Sequence, residues 1–374
     1  MGAMVRSEAV VDLEAIRDNV ALLRSRTPAE VMAVVKADGY GHGLLPSARA
    51  ALAGGASWLG VAFLEEALAL RSAGITAPVL SWLAAPGEDL AAGVAADVDL
   101  SASAPWTVTE IAAAARDAGQ PARLHLKIDT GLSRGGAPAA DWPDLVTAAA
   151  KAAAAGDVQV IGIWSHFAYA DAPGHPTIAR QVAGFTDAVE VARRLGVDPP
   201  LRHLANSAAT LTLPAAHFDL VRPGIAVYGL TPVPPVWHGL TPAMTLRSSV
   251  ALAKRVPAGS GVSYGHVYTT ERETGLALVP LGYADGVPRN ATSVGPLFLG
   301  GRRRTISGRV CMDQFVVDVG DDTVGAGDEV VLFGPGRNGE PTAQDWADAT
   351  GTISYEIVTR VGARVPRVYR GRVP

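Results

Sequence analysis

The chain has 374 residues, a formal net charge of −4, 48% hydrophobic residues and a single cysteine, Cys311. That apolar share fills a core and excludes disorder. The mildly acidic balance lacks the concentrated positive field that nucleic-acid or membrane-surface binding uses, and one thiol makes neither an internal disulfide nor a cysteine zinc site. No metal, nucleic-acid or membrane partner is therefore expected. The opening stretch has no signal-peptide pattern, so the expected location is cytoplasmic.

Taken in chain order, a helix starting after Asp12 places Leu13, Ile16, Val20 and Leu23 on one face. Short β-branched runs then alternate with Ala/Leu-rich helical runs. The predicted strands are 31–37, 57–63, 78–83, 98–102, 122–129, 158–167, 201–206 and 219–228. They are short and apolar, as buried parallel strands are. Thr107 and Glu110 form a capping-box pattern that sets a helix start before Ile111. Eight strands alternating with helices is the count of a closed (βα)8 barrel of the TIM type, which takes roughly 250 residues. An open doubly wound sheet produces the same alternation.

The longest uncharged run lies between Arg222 and Arg247, and its five prolines exclude a continuous spanning helix. After it the pattern changes to alternating runs such as SSVALAKRV and QFVVDVG, divided by Gly, Pro and Asp turns. That reads as a separate all-β domain. The expected domains are 9–240, the barrel, and 241–374, the β domain.

In a barrel the working groups sit at the C-terminal strand ends. Lys36 ends the first predicted strand. Burial disfavours its ammonium form and leaves a nucleophilic amine, although a lysine at a barrel rim can also snorkel. His166 closes the sixth strand, and His203, Asn206 and Ser207 close the seventh. Arg222, Pro223, Gly224 and Ile225 fall in the eighth. The loops after strands seven and eight often bind phosphate, where a hydroxyl and a glycine-exposed backbone suit an anion. A ligand with a phosphate at one end and an aldehyde facing the lysine fits this set. Taken singly, Ser207 also reads as a turn residue, His203 as a satisfied core histidine and Tyr264 as a surface strand tyrosine.

The segment AVVKADGYGHG at 33–43 resembles the signature of the alanine racemases, pyridoxal 5'-phosphate (PLP) enzymes with a barrel and a β domain. LKIDTGLSR (126–134), SHFA (165–168), ANSAA (205–209) and VRPGIAVYGL (221–230) follow in the same order. So do VSYGHVY (262–268), GYADG (282–286), GRVCMDQF (308–315) and ISYE (353–356). The resemblance implies that Lys36 carries PLP, while Tyr40, Ser207, Gly224, Ile225 and Tyr355 surround its phosphate. Arg222 would face the pyridine nitrogen with His203 behind it, and His166 would lie near the ring and the catalytic tyrosine. Arg134 and the Met312 N–H would bind the substrate carboxylate. Lys127 matches a lysine that is often carbamylated. Tyr264 would come from a partner subunit, which implies a homodimer with shared sites, and Tyr283 and Tyr355 would narrow the entrance.

Racemisation removes a proton from one face of a carbon and returns one to the other. Lys36 and Tyr264 on opposite faces would do this, supplying D-alanine for peptidoglycan. Both have ordinary pKa values near 10, so their site must favour lysine amine and tyrosinate. Three alternatives stay open: a racemase of broader specificity, a fold-related PLP decarboxylase, whose cysteine-centred substrate motif is missing here, and a PLP carrier, which would not need a second domain.

Overall fold

The computed structural model describes residues 6–371, so the stretch inspected for a targeting signal begins partly outside the described residues. The chain divides into two compact units. Of the described residues, 16–39 and 47–240 form one; 6–15, 40–46 and 241–371 form the other. Strand β1 (Ser7–Asp12) belongs to the second unit. The helix Leu13–Ser25 follows it, capped by Asp12 Oδ1, which accepts from Ala15 N at 3.0 Å. Ile16, Val20 and Leu23 on that helix are fully buried.

The first unit is built on eight parallel strands: β2 (Glu30–Val34), β3 (Trp58–Val61), β4 (Val79–Ser81), β5 (Val98–Ala102), β6 (Ala122–Lys127), β7 (Val158–Trp164), β8 (Leu201–His203) and β9 (Leu220–Val221). Their spatial order is β8-β7-β6-β5-β4-β3-β2-β9. The two ends meet, because Arg222 N donates to Ala205 O at 2.8 Å and Asp219 N to Arg202 O at 3.1 Å. The sheet is therefore a closed barrel and not an open doubly wound sheet. Met32, Trp58, Leu80, Ile161 and Leu220 fill its interior, as large side chains do in barrels of this size.

Several predicted elements end or begin elsewhere; the strands expected over 158–167 and 201–206, for instance, stop at Trp164 and His203. The strand expected over 219–228 stops at Val221; Pro223 has no N–H for a ladder, and Ile225–Tyr228 forms a 3-10 turn. The strand expected over 31–37 stops at Val34, and Ala37, Asp38, Gly39 and Tyr40 all take left-handed backbone angles. The helix placed after Thr107 begins at Pro105, with Ala104 at the N-cap position making no side-chain cap bond and Thr107 buried inside the first turn. Proline is pre-organised for the first helical position, so it overrides the Thr107–Glu110 pattern.

In the second unit a six-stranded sheet runs in the order β16-β15-β18-β10-β1-β19, where β10 is Met244–Ser249, β15 Pro296–Leu299, β16 Arg302–Thr305, β18 Glu329–Phe333 and β19 Arg367–Arg370. The N-terminal β1 is an inner strand, antiparallel to β10 and parallel to β19. A three-stranded antiparallel sheet joins β11 (Leu252–Val256), β14 (Thr274–Val279) and β17 (Phe315–Gly320). A short pair, β12 (Gly261–Val262) and β13 (Tyr268–Thr269), flanks the turn that carries Tyr264. The unit is not all β, since helices Ala343–Thr350 and Ser354–Thr359 lie in it. Thr342 and Asp345 cap the first of these reciprocally.

Within this unit Gly41 has a φ of +82°, and a Cβ there would lie 2.4 Å from Val358 O. The glycine lets segment 40–46 approach the helix carrying Tyr355. The rings of Tyr40 and Tyr355 stand 6.2 Å apart.

Candidate active site

Polar side chains gather at the C-terminal ends of the barrel strands. Lys36 lies two residues beyond β2, Lys127 ends β6, His166 lies two residues beyond β7, His203 ends β8 and Arg222 follows β9. Each is delivered by a buried strand whose inward face continues into the mouth.

The Lys36 ammonium is disfavoured by burial and then by the Arg134 charge, so its pKa falls below the usual lysine range. Glu66 opposes this shift, and its carboxylate also accepts from the N–H groups of Ala37, Ala62 and Phe63. Burial, followed by the charges of Arg222 and Arg134, pushes Lys127 down to about 8. Lys127 Nζ sits 4.3 Å and Arg222 Cζ 4.9 Å from the ring centre of Trp164, an aromatic platform for both cations.

Arg222 is buried, and burial lowers its pKa to about 9, so it stays charged at neutral pH. It donates to Ser165 O (2.7 Å), His203 Nδ1 (3.1 Å), His166 Nδ1 (3.3 Å) and Leu204 O (3.4 Å). No carboxylate pairs with it among the described residues.

Arg222 fixes the proton on each histidine behind it. Arginine only donates, so Nδ1 of His203 accepts. Burial and the neighbouring Arg222 keep His203 neutral, with a pKa well below the usual histidine value. Its proton is therefore on Nε2, which donates to His125 Nδ1 at 2.9 Å. His125 in turn donates from Nε2 to Asp99 Oδ2 at 3.0 Å, and Asp99 is anchored by Arg123. Burial and the surrounding cations likewise hold His166 neutral. Its Nδ1 accepts from Arg222, which leaves Nε2–H as its donor. A Cβ at Gly162 on β7 would lie 2.5 Å from His125 Nδ1, so this glycine makes room for the chain of histidines.

At the neighbouring strand ends, Ser207 Oγ accepts from Gly224 N (2.8 Å) and Ala226 N (3.3 Å), while Ile225 is fully buried. Neither bond uses the hydroxyl's own proton. Asp129 Oδ1 collects the N–H groups of Gly131, Leu132 and Ser133, which fixes the turn leading to Arg134.

The second unit gathers other expected residues on its own surface. Tyr264 is 72% exposed, and Met312 and Tyr283 are exposed too. Tyr283 N donates to Cys311 O and Ala284 N to Met312 O, so these segments are docked together. Ser263, with φ +63°, donates through Oγ to Arg309 O at 2.8 Å and touches Cys311 Sγ at 3.3 Å. Cys311 is half-buried, a small packing residue.

Sequence reasoning missed Asp99, His125, Trp164 and Gln181. Asp99 had a signal, being a lone charge inside an apolar strand, and His125 shares a strand face with Lys127 two residues on. Nothing local marks Trp164 or Gln181. Among the described residues no cluster suits a metal ion, and no helix is long and apolar enough to cross a membrane.

A closed barrel with a desolvated lysine and an unneutralised guanidinium at its strand ends, followed by a β-rich unit, defines the class of two-unit barrel enzymes to which the chain belongs. The family described as alanine racemase, N-terminal domain, matches residues 11–232, and alanine racemase, C-terminal domain, matches 243–369. The chain is 66% identical to an alanine racemase of Frankia casuarinae, over 98% of this chain and 97% of that protein. It is equally identical to one of Salinispora arenicola, over 99% and 100%. The crystal structure of the alanine racemase from D-cycloserine-producing Streptomyces lavendulae superposes with a TM-score of 0.98 at 56% identity, covering 99% of this chain and 98% of that one. The chain belongs to the alanine racemase family.

Proposed function

We propose that this protein interconverts L- and D-alanine with pyridoxal 5'-phosphate as cofactor, acting as a cytoplasmic homodimer that supplies D-alanine for peptidoglycan. The carrying observation is the buried Arg222, which has no carboxylate partner, in a mouth that also holds Lys36, Lys127 and Arg134. This surplus of cations suits a ligand with a phosphate and a carboxylate. The Ser207 hydroxyl keeps a proton to donate, and the Gly224 N–H that it accepts sets it against the Gly224–Ile225 backbone, the proposed anion end. Tyr40 and Tyr355 are further proposed phosphate partners.

Bound there, the cofactor supplies an electron sink that acidifies the α-proton of the amino acid. Lys36, whose amine form is favoured by burial, holds the cofactor and then carries the proton on one face. Tyr264, exposed on its turn, carries the proton on the other face of a second copy's site. His166 offers Nε2–H to a phenolate, which favours the tyrosinate form. Arg222 would help hold the cofactor ring as a donor that does not release its proton, and a ring left unprotonated would favour return of the α-proton over side reactions. Arg134 and Met312 N–H bind the carboxylate, and Tyr283 restricts the side-chain space. Lys127, with a pKa near 8, is suited to adding CO2 with loss of a proton, giving a carbamate whose charge answers Arg134 and Arg222.

Incubation with L-alanine and PLP, followed by chiral separation, should yield D-alanine. Lys36→Ala should abolish the conversion. Tyr264→Phe should stop racemisation while leaving solvent deuterium exchange into one enantiomer. A protein that forms no D-alanine, or a Lys36→Ala variant with full activity, refutes the reading.

A further inference from the structure

The helix Pro176–Arg194 carries one fully buried amide, Gln181, in an otherwise apolar inner face of Ile178, Phe185, Ala188 and Ala192. Its Oε1 accepts from Ala168 N at 2.9 Å. Its Nε2 donates to His166 O at 3.0 Å and to Thr130 Oγ1 at 3.2 Å. Thr130 Oγ1 also meets Ser165 Oγ at 2.9 Å, and Ser165 Oγ donates to Ile128 O at 2.7 Å. One side chain thus ties the segment after β7, which holds His166, to the turn after β6, which leads to Arg134. Ser165 O is in addition an acceptor for Arg222.

A buried amide without partners is costly, and a leucine there would leave Ala168 N, His166 O and Thr130 Oγ1 short of this bond. The three partners also demand both kinds of group at once: an acceptor for Ala168 and donors for His166 and Thr130. A carboxylate offers acceptors only, and an aliphatic chain offers neither.

We propose that Gln181 is a positioning residue of the racemisation site, holding His166 and the Arg134 turn in register from the helix behind them. The inference rests on the site reading given above. It acts on two kinetic parameters through two arms. The His166 arm governs proton transfer and hence kcat. The Thr130 arm governs the placement of Arg134 and hence KM for alanine. A misplacement of about an ångström at such loops costs up to about a hundredfold.

The test compares Gln181→Leu, Gln181→Glu and Thr130→Val with the parent holoenzyme, by racemisation kinetics and by backbone amide exchange of peptides covering 129–134 and 165–169. Gln181→Leu should lower kcat, raise KM and speed exchange in both peptides. Thr130→Val, a loop change that leaves the helix sequence intact, should raise KM more than it lowers kcat and speed exchange more in 129–134 than in 165–169, where Ser165 Oγ loses one contact. Gln181→Glu should be impaired at neutral pH, and its activity relative to the parent should climb as pH falls. The protonated carboxyl regains one donor and one acceptor, and burial raises the pKa at which it forms. Because ionisation of a buried glutamate also lowers stability, the rates are normalised at each pH to the folded fraction read by circular dichroism, and the climb should persist after that normalisation. Gln181→Glu and Thr130→Val variants that match the parent within about twofold at every pH, with unchanged exchange, overturn the inference. Lys36→Ala should be inactive with parental exchange in both peptides, so an active Lys36→Ala condemns the site reading and not the role of Gln181.

Discussion

Lys127 shows how one side chain couples the site to stability. Its pKa is about 8 in the folded chain, against 10.5 for an unperturbed lysine. Below pH 8 both states hold the proton. Above it the folded state releases the proton first, so this residue's contribution to stability rises with pH up to about 10.5. Lys127→Met removes that rise. In CO2-free buffer the variant should be favoured relative to the parent near pH 7.5, and its advantage should shrink toward pH 10, as read from urea midpoints; an advantage that grows with pH contradicts the assignment. The burial of Lys36 was legible in the sequence because the residue follows an apolar strand, whereas Lys127 and the role of Arg222 entered only through the family resemblance. The hydrogen-bonded chain behind Arg222 was not legible. Its links join residues 19, 78 and 26 positions apart, and only closure of the barrel brings them together.

At the scale of elements, the order of the eight barrel strands was readable from alternating apolar runs, but their ends were not. Pro223 shortens β9, while β2 ends at Val34 and the left-handed Ala37, Asp38 and Tyr40 just past Lys36 prevent the strand from running on to 37. Such angles are strained for residues with a Cβ, so no local preference announces them. The helix Ala343–Thr350 carried its start in Thr342 and Asp345, and the alternating strands around it hid that signal. Gly162 gives the sharpest test of an element serving the site. Gly162→Ala keeps β7 a good strand but places a methyl 2.5 Å from His125 Nδ1 and 3.1 Å from Leu201 O. It should destabilise the protein by about 1–3 kcal/mol in thermal denaturation and slow racemisation by displacing His125. A variant with parental melting and rate would show that the histidine chain tolerates rearrangement.

At the scale of the whole molecule, the family's two parts match residues 11–232 and 243–369, while the chain's own packing assigns its first strand to the C-terminal unit. Composition could not show this, because β1 reads like any apolar strand and its partners lie more than two hundred residues away. The proposed sharing of Tyr264 between copies has a direct consequence. Lys36→Ala and Tyr264→Phe chains, each inactive alone, should regain about a quarter of parental activity when unfolded and refolded together, because a mixed pair contains one complete site. Failure of the mixture to recover activity, with pairing verified by mass, would place Tyr264 outside the partner's chemistry.

The margins of the six-stranded sheet bear on how such pairs can form. β16 presents Arg302, Arg303 and Arg304 in succession, and β19 carries Arg367 and Arg370. Their own chain engages most of them: Arg302 and Arg304 pair with Asp322, Arg303 with Asp345, and Arg367 donates to Val361 O, Gly362 O and Val365 O, so both margins carry bulky, locally tied side chains that hinder strand addition. A pair of copies of the kind proposed would then meet through faces of side chains, where shape and not main-chain continuity decides the fit.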